Sequence, residues 1–326
     1  MALTIGLCEF SDVENLISFI DTDWKKDHIF VRDRKLFDWQ HKGLDCYHFV
    51  LAKEDDHIVG ILGYIPLSQY SPSLAENNEL WLAIWKVKEG GNKPGLGLMM
   101  LNYLKKVYKE PTICSLGLSA QVIPIYKALK YQVGVLSHCA FFNQNLNKFN
   151  IGKPDGSHLV PIQKNNLIYK VSESVDSIPD SFFLNNPMKN NEYIRNRYTN
   201  HPRYTYKFLS IYDNDNLLSI SVYREINING ASVSRIVDSF GENIMTPKFN
   251  YVLSVFLETS NYEYIDLVSN MLRNPDSGFI QSSSTTIIPN YFEPFELRNV
   301  EIDYAYKSDK ELIIFRGDSD QDRPNV

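Results

Sequence analysis

The first half of the chain alternates between the apolar spacing of helices and that of strands. Val13, Leu16 and Ile20 recur at helical intervals behind an N-cap at Ser11. Two β-rich runs follow around a Lys-Glu-Asp-Asp turn and predict a hairpin. The predicted elements after the first helix are strands at 48–52, 58–64 and 80–87, a helix at 98–108, a strand at 113–118, a short helix at 123–129 and a closing strand at 132–142.

The second half repeats this order of elements with little sequence identity. A stretch rich in Asn, Gly, Lys and Pro, residues 143–156, separates the halves and is typical of a domain boundary. The shared order predicts two domains, residues 1–145 and 146–326, related by a diverged internal duplication. The predicted elements of the second half are a helix at 192–198, strands at 204–212, 217–226 and 231–240, a helix at 250–257 and a strand at 264–268.

Composition narrows the class of protein. With 326 residues and 44% hydrophobic content, the chain can bury a core in each half. The formal net charge of −6 at pH 7 and the lack of a basic run argue against a nucleic-acid partner. No apolar stretch approaches the roughly 20 residues of a spanning helix, and no secretory signal is visible. Four widely spaced cysteines without a CxxC pair indicate reduced thiols and no metal site. We therefore expect a cytoplasmic globular protein.

The main chemical signal lies after the 80–87 strand, where residues 92–98 read N-K-P-G-L-G-L. The N-terminus of the helix that follows offers unpaired N–H groups and a partial positive charge, which suit a pyrophosphate. Glycines at Gly95 and Gly97 let the backbone approach such a ligand. Because Met100 takes the place of a third glycine and no Gly-Lys-Ser/Thr follows, the loop matches neither the dinucleotide fingerprint nor the nucleotide P-loop.

This loop resembles the acyl-CoA loop of the GNAT acyltransferases, a strand followed by Gln/Arg-x-x-Gly-x-Gly/Ala and a helix, with Asn92 in place of Gln or Arg. Residues 119–131 resemble the family's next motif, Asn-x-x-Ala-x-x-Leu-Tyr-x-x-x-Gly-Phe, with Ser119 at the Asn position and Tyr126 at the tyrosine. The resemblance implies an α/β (α+β) fold of tandem GNAT-like domains, whose mixed, mostly antiparallel sheets are flanked by helices. It also implies acyl-CoA as co-substrate and no metal.

The resemblance assigns roles as well. Tyr126 would protonate the departing CoA thiolate, and backbone N–H groups near 85–87 would bind CoA or the oxyanion where two strands splay. Two residues are candidates for the base that takes the amine proton. Glu79 lies on the face of Trp85 by period-two counting, and His28 has a near-neutral intrinsic pKa; water is a third option. The implied acyl-CoA contacts are Trp85, Lys86, Val87, Asn92, Lys93, Gly95, Leu96, Gly97, Leu98 and Ser119.

For the acceptor, the chain resembles two-domain GNAT enzymes that act on nucleotide-linked amino sugars for O-antigen lipopolysaccharide or capsule. The matching blocks are D-W, H-I-F and F-D-W-Q within residues 23–40, H-P-R-Y at 201–204, R-I-V-D at 235–238, I-P-N-Y-F-E-P-F at 288–295 and D-Q-D-R-P-N at 320–325. They imply transfer of an acetyl or 3-hydroxybutyryl group to a dTDP-amino-dideoxysugar, by a chain that can be a homodimer. The implied acceptor contacts are Trp39, His201, Arg203, Asp238, Asn290, Tyr291, Phe292 and Glu293.

The second half has no comparable phosphate loop. Its candidate strand is followed by G-E-N-I-M-T-P at 241–247, with a single glycine and a carboxylate at Glu242 that would repel a pyrophosphate. We therefore expect one CoA per chain, in the first half. Three other functions stay open: a Fem-type aminoacyl transferase, which also pairs two GNAT-like domains; a small-amine acetyltransferase; and a non-catalytic sensor of CoA or a nucleotide sugar.

Overall fold

The computed structural model describes residues 2–90, 93–185 and 187–324. Its strands are β1 (Leu3–Cys8), β2 (Tyr47–Glu54), β3 (His57–Pro66), β4 (Glu79–Val87), β5 (Thr112–Leu116), β6 (Gln132–Val135), β7 (Ser137–Phe142), β8 (Leu167–Ser172), β9 (Lys207–Asp213), β10 (Asn216–Ile228), β11 (Ala231–Gly241), β12 (Tyr264–Ser269), β13 (Phe279–Gln281), β14 (Tyr291–Phe292), β15 (Phe295–Glu296) and β16 (Asp303–Lys307). Its α-helices are α1 (Val13–Phe19), α2 (Ile29–Arg32), α3 (Arg34–His41), α4 (Leu96–Val107), α5 (Ile123–Ala128), α6 (Asn191–Ile194) and α7 (Asn250–Ser260).

The chain divides into two compact units. The first comprises Met1–Val133, Tyr304–Asp309 and Arg323–Val326, and the second comprises Gly134–Asp303 and Lys310–Asp322. None of the helices in the described residues is long and apolar enough to cross a membrane. All four cysteines are free thiols.

The division differs from the boundary that the sequence predicts at residue 145. The Asn- and Gly-rich stretch after β7 belongs to the second unit, because polar groups fix it there. The backbone N–H of Asn143 donates to the carbonyl of Glu263 at 2.9 Å, and the carboxylate of Glu263 accepts from the N–H groups of Asn150 and Ile151. The predicted closing strand at 132–142 is two strands, β6 and β7, which lie in different sheets.

The two sheets share one topology. One runs β1-β2-β3-β4-β5-β16-β6 and the other β8-β9-β10-β11-β12-β7-β13. In each sheet the first four strands are antiparallel neighbours, the fourth and fifth are parallel, and the sixth is antiparallel to the fifth. The first α-helix of each unit, α1 or α6, continues into a π-helical turn, at Ile20–Trp24 and Arg195–Thr199 respectively. The predicted fold, tandem domains with mostly antiparallel sheets flanked by helices, is confirmed.

Apolar side chains cover both faces of the first unit's sheet. On one face α4 packs against β2, β3 and β4 through residues that include Leu96 and Met100. On the other face α1, α2 and α3 pack through residues that include Leu16 and Phe37, against a layer to which Ile84 of β4 belongs. Each such side chain contributes about 1.5–3 kcal/mol by leaving water, so β4 is held rigidly between two apolar layers.

Candidate active site

β4 and β5 pair along only part of β4. Their parallel register runs from Glu79 opposite Thr112 to Leu82 opposite Ser115. β4 continues to Val87, which still pairs with β3 on its other side. Beyond Leu82, none of the described strands pairs with β4 on the β5 side, and we call this side of residues 83–87 the open β4 edge. Backbone polar groups along such an edge are available to a ligand with its own hydrogen-bonding groups.

A β-bulge sets the direction of the side chains on β4. The register with β3 shifts by one residue between Leu82 and Trp85, so one extra β4 residue is inserted there. Trp85 and Val87 therefore pack in the same α4-facing cluster as Leu82, one residue later along β4 than strict alternation from Leu82 would place them. The expectation that Glu79 shares their face is wrong, because the extra residue inverts the period-two count.

The helix that begins at the end of this edge has an uncapped N-terminus. Gly95 is its N-cap, with φ of +82° and no side-chain capping bond, and the space where a Cβ would stand is empty. A Cβ on Gly97 would lie 2.9 Å from Nε1 of Trp85, so the indole packs against a bare backbone. The backbone N–H of Leu96 donates to the carbonyl of Lys93 at 3.3 Å. The N–H groups of the next two residues, Gly97 and Leu98, precede the first intrahelical bond, which favours an anion there.

A cleft of about 240 Å³ adjoins this helix end. Lys93 and Leu96 line it, and Lys93 forms an ion pair with Glu54 of β2. Lys86 forms a second ion pair, with Glu89 at 2.7 Å. Both lysine side chains are partly exposed, so they can turn toward a phosphate. Asn92, at the position where the family has Gln or Arg, lies outside the described residues.

Tyr126 lies next to the point where β4 and β5 part. Its side chain is buried on α5, with its ring 6.2 Å from that of Trp85, edge to face. Burial raises the pKa of Tyr126 to about 12, and a hydrogen bond with Ser115 opposes part of that rise. Ser115 is the last β5 residue that pairs with β4. The structure thus holds a neutral phenol, able to donate a proton, where the open β4 edge begins. Ser119 lies apart from it, exposed in the turn before α5.

His28 occupies a structural position. It is the N-cap of α2, where its Nδ1 accepts the backbone N–H of Phe30 at 3.2 Å. Burial, and to a smaller extent the cations of Arg323, Lys25 and Arg32, lower the pKa of His28 to about 3. Because its Nδ1 is already engaged and the low pKa makes the ring a weak base, this geometry disfavours the general-base role that its intrinsic pKa suggested.

Glu79 is buried at the first position of β4. A strand rises roughly 3.3 Å per residue, so the Cα of Glu79 lies about 10 Å along β4 from Leu82, where pairing with β5 ends. Trp39, the acceptor residue predicted in this unit, is partly exposed and packs on Tyr70 with the ring centroids 5.1 Å apart.

In the second unit the chain itself fills the corresponding gap. β11 and β12 pair in parallel only from Ser234 to Ile236, although β11 runs on to Gly241. A 3₁₀ turn near the end of the chain, Arg316–Asp318, lies against this stretch, since a Cβ on Gly317 would be 2.7 Å from the carbonyl oxygen of Val237. No pattern in the sequence predicts this contact, because its two partners lie far apart along the chain.

Buried ion pairs hold that turn in place. The ammonium of Lys189 contacts carboxylates of Asp238 at 2.7 Å and Asp318 at 2.5 Å, and all three side chains are fully buried. Tyr198 donates its hydroxyl hydrogen to Asp238 at 2.8 Å. Asp238 was predicted to bind the acceptor, but its carboxylate is enclosed and engaged by these partners. Its role in this structure is to anchor the tail.

The other predicted acceptor residues fall into two groups. Asn290 and Phe292 are buried: Arg235 donates to the carbonyl of Asn290 at 2.8 Å, and its guanidinium lies 4.6 Å from the Phe292 ring centroid. The remaining four, which are partly or fully exposed, are His201, Arg203, Tyr291 and Glu293.

Three of these exposed residues meet around one tyrosine. The rings of His201 and Tyr204 are stacked with centroids 5.3 Å apart, and the Tyr204 hydroxyl donates to Glu293 at 3.2 Å. Arg203 precedes Tyr204, and these two residues line a hollow of about 310 Å³. The structure therefore brings two of the predicted blocks together, at 201–204 and 290–293.

Comparisons with known proteins identify the fold. No family model and no curated protein matches the sequence. The structure is similar to a GCN5-related N-acetyltransferase from Anabaena variabilis over 94% of this chain and 72% of that one, with a TM-score of 0.59 at 11% identity. A probable N-acyltransferase from Enterococcus faecalis matches over 86% and 70%, with a TM-score of 0.55 at 10% identity. A GCN5-related N-acetyltransferase from Kribbella flavida matches over 94% and 70%, with a TM-score of 0.51 at 11% identity. The chain has the fold of these proteins.

Replacing Lys189 with Met should destabilise the protein strongly. The change leaves two buried carboxylates without their cation, so the free energy of unfolding should fall by about 3–5 kcal/mol. Urea denaturation at pH 7 measures this, with the exposed Lys164→Met as the control. A loss below about 1 kcal/mol would show that the tail is not anchored by these ion pairs.

Replacing His28 with Asn should make the protein less sensitive to acid. Asn can still cap α2. Because the folded pKa of about 3 lies below the ordinary 6.5, the unfolded state binds the proton first, and stability falls as the pH drops from 6.5 toward 3. At pH 5 this costs about 2 kcal/mol, which the variant should not lose. Urea denaturation at pH 7 and pH 5 tests this, with exposed His57→Asn as the control. An unchanged acid sensitivity would contradict the buried, neutral state of His28.

Proposed function

We propose that this protein is an acyl-CoA-dependent N-acyltransferase whose coenzyme binds along the open β4 edge. The observation that carries the proposal is the end of β4–β5 pairing at Leu82 and Ser115, together with the next helix along the chain, α4, which has Gly95 as its N-cap and Gly97 in its first turn. An edge of five residues is roughly 16 Å long, comparable with an extended pantetheine arm. The arm's amides can pair with the strand, and the pyrophosphate can accept from the first turn of α4.

The reaction follows from this placement. A neutral amine attacks the thioester carbonyl, a C–N bond forms, and the C–S bond then breaks. Tyr126, uncharged at neutral pH because it is buried, supplies the proton that the departing thiolate takes. Backbone N–H groups at the start of the open β4 edge stabilise the developing oxyanion. The amine proton passes to water, because Glu79 lies on the other face of β4 from Trp85 and His28 is a weak base with a lowered pKa whose Nδ1 caps a helix.

The second unit is proposed to serve the acceptor. In this unit the edge of β11 beyond its pairing with β12 is covered by residues 316–318, which supports a single coenzyme site per chain. Its partly exposed cluster at His201, Arg203, Tyr204 and Glu293 combines aromatic rings, a guanidinium and a carboxylate. Aromatic rings offer stacking surfaces to sugars and bases, and a guanidinium can pair with phosphate oxygens.

As acceptor we propose the amine of a dTDP-amino-dideoxysugar, acylated with acetyl or 3-hydroxybutyryl for O-antigen or capsule. The support is the resemblance of the 201–204 and 288–295 blocks to enzymes of that group. We place the reaction in the cytoplasm, in keeping with four unpaired thiols. A small-amine acetyltransferase would have the same coenzyme site and no requirement for a nucleotide.

The proposal is tested by incubating the protein with acetyl-CoA or 3-hydroxybutyryl-CoA and a panel of dTDP-amino sugars, while thiol release is followed. Release that depends on both substrates is expected for at least one pair. Free amino sugars and small amines serve as controls. Release with small amines alone would favour the alternative acceptor class, and no release with any pair would argue against an acyltransferase.

Gly95→Glu should strongly weaken the binding of acyl-CoA. The carboxylate would face the pyrophosphate at the helix N-terminus, so affinity should fall on the order of 100-fold, the value of one or two lost charge-assisted hydrogen bonds. Isothermal titration with acetyl-CoA measures it. Gly230→Glu is a matched control, because Gly230 also has a positive φ of +79° and open space around it. Retained affinity in Gly95→Glu would show that the coenzyme binds elsewhere.

Tyr126→Phe should lower kcat by about 100-fold or more while leaving the affinity for acyl-CoA unchanged, because only proton donation is lost. Tyr131→Phe, a neighbouring ring whose centroid lies 5.0 Å away, is the control for packing. Both values come from the thiol-release assay and the titration above. A Tyr126→Phe enzyme with the kcat of the parent would rule out the tyrosine as the acid.

A further inference from the structure

Residues 144–159, whose composition resembles a flexible linker, enclose a cleft of about 390 Å³ in the second unit. The loop is held from several directions. Gln144 donates through its side-chain amide to the carbonyl of His158 at 3.0 Å, and Lys153 exchanges two backbone hydrogen bonds with Ile287 at 2.9 and 2.8 Å. Small-molecule sites are usually preformed concavities of this size, so the rigidity favours a ligand site.

The floor of the cleft is closely packed. A Cβ on Gly152 would lie 2.8 Å from the ring of Phe142, so no other residue fits there without a shift. Phe149 packs edge to face on Phe142, with centroids 5.2 Å apart, and on His158, at 5.5 Å. Because Phe149 is itself partly exposed in the cleft, it offers an apolar ring to a planar ligand.

The cleft is cationic in a chain whose net charge is −6. Among the described residues that line it, two are lysines, Lys148 and Lys153, and none is acidic. The nearby Asp155 is not among the lining residues, and its carboxylate accepts hydrogen bonds from Ser157 at 2.6 Å and from Thr285 at 3.1 Å. Two exposed ammonium groups beside an apolar ring suit phosphate oxygens attached to a planar base.

One buried polar atom in the wall has no partner. His158 is buried, and its Nδ1 makes no hydrogen bond within the described part of the chain. Unsatisfied buried polar groups are uncommon in native proteins, and each calls for a partner that the chain does not supply. The side-chain amides of Gln144 and Asn147 add polar atoms to the same wall.

We propose that the cleft formed by residues 144–159 binds a nucleoside diphosphate, with the base against Phe149 and the phosphates on Lys148 and Lys153. This site is distinct from the cluster at 201–204 and 290–293, and it stands whether or not the protein transfers acyl groups. Its ligand is either a free nucleotide or the nucleotide moiety of a nucleotide sugar, since both present the same chemistry.

Isothermal titration of the full chain with dTDP, ADP and inorganic pyrophosphate tests the site. At least one nucleotide should bind, and more tightly than pyrophosphate, because the base adds its contact with Phe149. The double variant Lys148→Gln/Lys153→Gln should weaken that binding at least tenfold. The control, Lys164→Gln/Lys170→Gln, removes two other exposed lysines of the second unit and should not change it. Nucleotide binding unaffected by the first double variant, or absent to about 1 mM, would overturn the proposal.

Two further readouts separate this site from the acyl-CoA site and identify the source of the ligand. Gly95→Glu should keep its dTDP affinity, and Lys148→Gln/Lys153→Gln should keep its affinity for acetyl-CoA. The opposite pattern would mean that the cleft holds part of the coenzyme and would overturn the proposal. If the lysine variant raises KM for a dTDP-sugar acceptor, the site holds the nucleotide of the acceptor. An unchanged KM with weakened dTDP binding identifies a site for free nucleotide.

Discussion

The structure of the first unit depends on a parallel strand pair that stops pairing before its longer strand ends. Up to Leu82 the backbone of β4 is bonded on both sides, and beyond it the strand keeps only β3. Apolar layers on both faces hold β4 rigid, so the strand cannot bend to pair the free N–H and C=O groups of its own edge. A β-bulge directs the side chain of Trp85 toward α4, and the glycines at the start of α4 let the helix backbone pack directly against the indole, at Gly97.

The second unit has the same strand order, and its parallel pair β11–β12 also stops before β11 ends, but the unpaired edge is treated differently. There the corresponding edge is covered by the turn at Arg316–Asp318, locked by Lys189 between Asp238 and Asp318. Removing three charged side chains from water is costly unless each is paired, and in this cluster they are. One topology can thus leave an edge for a ligand or fill it with its own chain. This supports a division of labour in which only the first unit holds a coenzyme.

Sequence patterns predicted the order of elements and the tandem fold, because the spacing of apolar residues reflects which face of each helix or strand is buried. These patterns failed where a single inserted residue reverses the alternation of side chains along a strand. The bulge in β4 is the example, because it places Trp85 on the opposite face from Glu79. They also failed where polar residues pack, because composition does not reveal partners distant in sequence. Asp238 resembled a ligand contact and is a buried anchor. Likewise, the stretch at 143–156 resembled a linker and is an ordered loop. The glycines of the α4 turn were visible in the sequence, whereas Ser115 beside Tyr126 was not.

The most direct test of the central claim is a crystal structure of the protein with a non-hydrolysable acyl-CoA analogue. We expect the pantetheine arm to pair with residues 83–87, the pyrophosphate to lie on the N–H groups that follow Gly95, and the sulfur to lie beside Tyr126. A coenzyme found in the second unit, or bound without contact to the open β4 edge, would contradict it.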